Sequence, residues 1–204
     1  MLDVHRLMKS LSDRRPIFHS EADFQHEFAW EIRSAMPQSK VRLEYPIDPE
    51  AKKAVHLDIW LPIEQVAIEL KYYTREFAAE WYDEVFLLRN HGAHPPKRFD
   101  FVNDIQRLEQ CNCKKGFAIL LTNEPLYWLA PPRSGTIDAA FRVHESKELT
   151  GSMSWQGTPA AGTKGNRESN ITLSGLYTMQ WRDYWAFPGK RFGQFRYLAV
   201  PVNP

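Results

Sequence analysis

Two short stretches in the first third of the chain alternate apolar and polar residues with a period of two. In the first, Val55, Leu57, Ile59 and Leu61 alternate with His56, Asp58 and Trp60; in the second, Val66, Ile68 and Leu70 alternate with Ala67, Glu69 and Lys71. That period marks half-buried strands, and only Pro62 to Gln65 separate the two, so they read as a hairpin. If the apolar residues share one face, pairing Leu61 with Val66 also pairs Ile59 with Ile68 and Leu57 with Leu70. The same register sets Asp58 directly opposite Glu69.

Around this hairpin the periodicity changes. Ser20, Glu21, Ala22 and Asp23 read as an N-cap with an acidic first turn, and Phe24, Phe28 and Ile32 then recur at helical spacing up to Met36-Pro37. A strand is expected over Val41 to Tyr45, followed by a polar turn through Pro49 to Lys53. After the hairpin the pattern predicts a helical stretch from about Arg75 to Arg89, a loop Asn90 to Lys97, and a helix from about Phe99 to Gln110 with Phe101, Ile105 and Leu108 on one side. Gly116 to Thr122 reads as a buried strand. The last third holds strand-like runs over Glu148 to Trp155, Ile171 to Trp181 and Phe195 to Val202, around a Gly-, Thr-, Ala- and Ser-rich loop from Gln156 to Ser169. The expected fold is therefore α/β, in the order helix, three strands, helices, strand, with an additional C-terminal antiparallel β region. With no internal repeat or linker, one domain over 1–204 is expected, its core at about 16–123 and a β-rich extension at about 124–204.

Composition narrows the partners without choosing one. The 204 residues are 43% hydrophobic and 25% charged, ordinary for a globular chain, and 26 basic against 25 acidic residues leave a net charge of +1. No whole-molecule field advertises nucleic acid, so such a partner must be held locally. Met1 to Leu11 interleaves charges with its apolar residues, unlike a signal peptide, and no segment approaches the ~20 apolar residues of a membrane span. No membrane partner is expected. Cys111 and Cys113, one residue apart, fit neither a disulfide framework nor a paired zinc motif, which points to a reducing, cytoplasmic setting.

The chemistry concentrates on the hairpin. Two carboxylates facing across a strand pair repel by up to roughly 3 kcal/mol if ~5 Å apart at an effective dielectric near 20. A hard divalent cation rewards keeping them, because Mg²⁺ takes one or two carboxylates and leaves its other positions to water and phosphate. Lys71 shares the face of Glu69, where an ammonium could hold a water or stabilise charge on a phosphorus centre.

Asp58, ten intervening residues and then Glu69-Leu70-Lys71 resemble the signature of the PD-(D/E)XK nucleases, the restriction-endonuclease-like superfamily. The core of that family, a helix, three strands, a helix and a strand, is similar to the order over residues 20 to 123. The resemblance implies metal-dependent phosphodiester hydrolysis by an endonuclease or exonuclease, with Mg²⁺ or Mn²⁺ held by Asp58 and Glu69 and a water positioned by Lys71. It implies nucleic acid as partner, DNA ahead of RNA, and is compatible with a homodimer. Members often place a further Glu on the first helix; Glu21 matches best and would complete the catalytic and metal site, ahead of Glu27 and Glu31. Leu57 stands where the signature has Pro, and the last third lies outside the shared core.

Plainer readings accompany each residue. Asp58, Glu69 and Lys71 could form the solvated outer face of a hairpin, with Lys71 neutralising Glu69, and Glu21 is a first-turn carboxylate favoured by the helix dipole. His56 reads as an ordinary polar residue of a strand face. His91 and His94 lie in a Gly- and Pro-broken loop without an evident thiolate or carboxylate partner. The charges of Asn103 to Glu109 fit the outer face of a helix, although in the resembled family Gln106 or Arg107 would flank the site. Among the C-terminal aromatics stand Arg182, Lys190, Arg191 and Arg196, a composition suited to unpaired bases and equally to burial in a sheet layer. Lys52-Lys53, Lys97-Arg98 and Lys114-Lys115 fit solvated turns. The alternative function is a non-catalytic nucleic-acid-binding or assembly module that keeps the nuclease fold; a phosphohydrolase of small esters is disfavoured by the absence of a glycine-rich phosphate loop.

Overall fold

The computed structural model describes residues 2–47 and 56–204. Helix α1 (Val4–Arg14) forms because Val4, Leu7, Met8 and Leu11 recur at helical spacing, and the Asp3 carboxylate caps it by accepting the Arg6 N–H at 3.0 Å. No helix was expected there from the sequence. Helix α2 (Glu21–Ala35) follows the expected pattern: Ser20 Oγ accepts the Asp23 N–H at 3.1 Å, and Phe24, Phe28 and Ile32 are buried.

Three antiparallel strands come next, β1 (Arg42–Pro46), β2 (His56–Leu61) and β3 (Val66–Tyr73). The expected turn at Pro49 to Lys53, with the Lys52-Lys53 pair, and Val55 lie outside the described residues. In the β2–β3 ladder Leu61 pairs with Val66 and Ile59 with Ile68, as the hydrophobic pattern requires, but the ladder reaches no further. Leu57 packs in the core cluster on the opposite face from Ile59 and Leu61, so the shared apolar face breaks at Asp58.

The expected helix over Arg75 to Arg89 is instead a β-hairpin of β4 (Phe77–Trp81) and β5 (Glu84–Leu88). Phe77 and Ala79 on one strand and Phe86 and Leu88 on the other alternate inward with period two, and Tyr82 turns the chain with a left-handed φ of 50°. Burial on that face overrides the helix propensity of Ala, Glu and Leu. Helix α3 (His94–Glu109) starts earlier than expected, because Pro95 and Pro96 fill its first turn, where no N–H partner exists. Strand β6 (Lys115–Thr122) then runs parallel to β3, the crossover passing through the hairpin and α3.

The last third divides. Strands β7 (Glu148–Met153) and β8 (Ile171–Thr178) form a separate ribbon, and the single run expected over Ile171 to Trp181 ends in β8 before β9 (Trp181–Ala186) begins. The loop between β7 and β8 carries a single helical turn, α4 (Ala161–Lys164). Strands β9 and β10 (Gln194–Val202) are not peripheral: β10 pairs antiparallel with β6, giving a mixed sheet in the order β1-β2-β3-β6-β10-β9. Helices α1 and α2 cover one face with Ile68, Leu70, Ile119 and Leu121; α3 and the β7–β8 ribbon cover the other with Ala67, Ala118, Leu120 and Val200. Strands β3 and β6 are therefore buried on both sides. No helix among the described residues is long and apolar enough to cross a membrane.

Candidate active site

Past Ile68, the N–H groups of Leu70 and Tyr72 have no partner strand on the β2 side. Two side-chain carboxylates take them. Asp58 Oδ2 accepts the Leu70 N–H at 2.6 Å, and Glu21 Oε2, from the first turn of α2, accepts the Tyr72 N–H at 2.8 Å. The break in the ladder is thus what draws Asp58 and Glu21 together, and each keeps one carboxylate oxygen clear of these bonds. Gln25, one turn along α2, donates to the Asp58 carbonyl at 2.7 Å and to Glu44 Oε1 at 2.8 Å. Glu44 sits in the middle of β1 at φ 48°, a left-handed backbone that a non-glycine residue adopts at a cost of ~1–3 kcal/mol and that is concentrated at functional sites.

Glu69 and Lys71 point to the α3 side. This is no solvated outer face: Glu69 is 2% exposed and Asp104, on α3, is 3% exposed. Lys71 does not neutralise Glu69, as a hairpin surface would have it; its Nζ lies 3.0 Å from Asp104 Oδ2. Arg107 serves Glu69 instead, Nη2 to Oε1 at 3.0 Å, while its Nη1 holds Asp104 Oδ1 at 3.1 Å and Nη2 also donates to the His56 carbonyl at 2.7 Å. The charges of α3 expected on its outer face are therefore partly inward. Asp104 lies within the helical stripe of Phe101, Ile105 and Leu108, and that spacing was the available signal for it. Gln25 is likewise buried in the stripe of Phe24 and Phe28. Glu44 had none, since its role depends on an unusual backbone angle. Gln106 faces away, donating to the Thr172 carbonyl at 3.0 Å.

The electrostatics follow from four carboxylates, Glu21, Asp58, Glu69 and Asp104, around two cations, Lys71 and Arg107. Burial, then repulsion from Asp104 and Asp58, pushes the Glu69 carboxyl up to about 9. Burial also raises Asp104, against the pull of Lys71 and Arg107, and raises Glu21, against Lys71 and the Tyr72 N–H. Burial opposes the Lys71 ammonium, but Asp104, Asp58, Glu21 and Glu69 outweigh it and hold Lys71 charged throughout the physiological range. Burial and mutual repulsion thus favour the protonated form of the neighbouring Glu69 and Asp104 carboxyls, against the pull of Arg107 and Lys71.

Among the described residues no three His, Cys, Asp or Glu side chains converge on one ion position, so Asp58, Glu69 and Glu21 do not form a ready three-ligand cage. The donor set nevertheless suits a hard cation. Asp58 and Glu69 offer carboxylate oxygens of the kind such an ion takes, and among the described residues Oε1 of Glu69 is buried without an aligned hydrogen bond.

The remaining sequence candidates sit elsewhere. His91 Nδ1 accepts the Thr74 N–H at 3.1 Å, and His94 has gained a carboxylate partner the sequence did not reveal, Glu124 Oε2 at 3.2 Å. His56 contributes its carbonyl, with its side chain exposed. Glu27 and Glu31 are engaged by Arg14, at 2.9 and 3.1 Å, on the far side of α2. No protein-family model, curated protein or solved structure matches the chain.

Proposed function

We propose that the chain is a metal-dependent nuclease that hydrolyses phosphodiester bonds, DNA before RNA, at the cluster of Asp58, Glu69, Lys71 and Glu21. The observation that carries the reading is a cluster of four carboxylates, Glu69 and Asp104 buried, Asp58 half-buried and Glu21 exposed, around two cations, Lys71 and Arg107, a balance that a divalent cation would complete. The order α2, β1 to β3, α3, β6, with Asp58 and Glu69-x-Lys71 on β2 and β3, supports a restriction-endonuclease-like core.

Asp58 and Glu69 would hold Mg²⁺ or Mn²⁺, with Glu21 beside them. When bound, that ion supplies Lewis-acid stabilisation of the charge that builds on the phosphate oxygens. The chain itself does the rest. Lys71, fixed by Asp104, presents an ammonium that orients the attacking water and stabilises negative charge at the phosphorus. Gln25 and the Leu70 N–H fix Asp58 from two sides, and Arg107 fixes Glu69. Glu21 ties the start of α2 to β3 through the Tyr72 N–H.

The test is degradation of a panel of single-stranded DNA, duplex DNA and RNA with Mg²⁺, Mn²⁺ or chelator, by wild type and by the Asp58→Ala, Glu69→Ala double variant. Metal-dependent cleavage by wild type alone is expected; cleavage that survives the double substitution would overturn the site. One observation favours the non-catalytic alternative: Lys71 and Arg107 already pair with Asp104 and Glu69. That reading requires nucleic-acid binding with no cleavage under any metal.

A further inference from the structure

The chain that leaves β3 beyond Lys71 enters a second depression four residues on. This groove, about 640 Å³, is walled by Arg75, Phe77, Leu87, Lys190, Arg191 and Phe192. The Arg75 guanidinium lies 4.9 Å from the centre of the Phe192 ring and that of Arg191 lies 4.7 Å from it. An arginine stacked on a ring keeps its N–H edge in a fixed direction, the geometry that bidentate phosphate recognition needs. Arg75 is further fixed by its own N–H to Asn123 Oδ1 at 2.7 Å and by Nη1 to the buried Glu124 at 3.1 Å. Lys190 leans across Phe77 and donates to the Ala78 carbonyl at 3.2 Å.

The loop that carries these groups is built rather than loose. Phe187 and Gly193 close it at 2.9 Å, the Gly193 N–H reaches the Lys190 carbonyl at 3.0 Å, and Asn123 holds the Phe192 carbonyl at 3.0 Å. A Cβ on Gly193 would fall 2.6 Å from the Phe187 carbonyl oxygen, and Phe192 is held at φ 58°, backbone strain of the kind found at ligand clamps. Two acids are close: Glu124, behind Arg75, and Glu76, exposed in the groove wall. Three cations outnumber them. Leu87 and Leu88 also wall a cleft of about 430 Å³ that contains Glu21, Tyr73, Arg89, His91 and Lys97, so the groove adjoins a cleft that reaches the acidic cluster at Glu21.

We propose that this groove binds the phosphodiester backbone of single-stranded nucleic acid, holding the strand that continues out of the site of Asp58, Glu69 and Lys71; the assignment rests on the nuclease reading of that site. Four residues of chain span at most about 14 Å, or roughly four stacked nucleotides at ~3.4 Å each. Leu87, exposed at the rim, and the half-buried Phe192 give apolar surface that unpaired bases cover and that a duplex, with its base faces hidden, does not.

The test is fluorescence anisotropy of labelled dT12, and of a blunt duplex of equal length, under chelator across a salt series. Wild type is compared with Lys190→Ala, Arg191→Ala, both exposed in the loop, and with Lys114→Ala, Lys115→Ala, which removes equal charge at the other end of β6. The groove variant should bind dT12 about tenfold more weakly, with a salt slope shallower by about 1.4 for two lost phosphate contacts. Its duplex affinity and the control variant should stay near wild type. Equal weakening in both variants, or none in the groove variant, overturns the proposal. A concentration-dependent dimer that only the groove variant dissolves would also overturn it, by placing a second copy there. Failure of the nuclease reading is separate: wild type that binds dT12 through the groove but cleaves nothing under any metal removes the catalysis and leaves the subsite, whereas active wild type with an unaffected groove variant removes the subsite alone.

Discussion

Lys71 is the residue on which the chemistry turns, and its surroundings specify what its loss should do. Lys71→Met removes the ammonium while keeping the stem, so cleavage should fall by about 10² or more, the scale for one electrostatic donor at a reacting centre. Because Asp104 would be left buried with only Arg107, the variant should also melt earlier than wild type, and activity must be compared at a temperature where both are folded. Wild-type rates from folded Lys71→Met would refute the mechanism. Glu69 invites a pH experiment. Its folded value, about 9, lies above the ordinary carboxylate value of 4.5, so the folded state holds a proton that the unfolded chain releases. Its stabilising contribution is therefore complete below pH 4.5 and is lost as pH rises towards 9. Under chelator, Glu69→Gln should abolish this dependence and become the more stable protein by on the order of 1 kcal/mol or more between pH 7 and 9, read as a denaturant midpoint. A wild-type and variant pair that track each other across that range would remove the carboxylate-cluster argument.

At the level of elements, the hairpin register was legible because Ile59, Leu61, Val66 and Ile68 alternate cleanly, but the expected Leu57–Leu70 pair and the facing Asp58–Glu69 pair do not form. The outcome at Asp58 was not legible, because period two cannot show where a ladder stops. Asp58 and Glu21 are drawn in by N–H groups that the missing pairs leave open, a consequence of three-dimensional strand length. The Arg75 to Arg89 segment misled because Ala78, Ala79, Glu80 and Leu87 favour helix while Phe77, Phe86 and Leu88 are placed by a core formed with α1 and α2. The inward charges of α3 depend on how closely that helix approaches the sheet, and Gly116 sets the distance. A Cβ there would meet Leu108 Cβ at 3.0 Å, tighter than ordinary packing. Gly116→Val should push α3 outward, costing about 1–3 kcal/mol of stability and reducing cleavage by loosening the contacts of Asp104 and Arg107 with β3. Circular dichroism melts and cleavage assays measure the two effects. A stable and fully active Gly116→Val would show that the α3 approach does not govern the site.

For the molecule as a whole, the site joins elements from distant parts of the chain: α2, β2, β3 and α3 each supply a charged group to one cluster. A ligand that binds the assembled cluster, and not the unfolded chain, must stabilise all of them together. Mg²⁺ or Mn²⁺ at a hundred times its dissociation constant should raise wild-type stability by about 2.7 kcal/mol, as a higher midpoint with an unchanged denaturant slope. Asp58→Asn should behave oppositely. The amide can still accept the Leu70 N–H through its oxygen, so the shape is kept while one of the four clustered carboxylates is neutralised. Under chelator the variant should therefore be the more stable protein, by up to about 1 kcal/mol, and with metal the less stable one, because it has lost a ligand. Surface screening cannot mimic this crossing, since salt weakens exposed pairs in both proteins alike. Chemical denaturation of wild type and Asp58→Asn, each with chelator and with each metal, decides it. A metal-independent order of stabilities would mean that the cluster is complete as it stands, held by Lys71 and Arg107 alone, and the case for catalysis at Asp58 would fall with it.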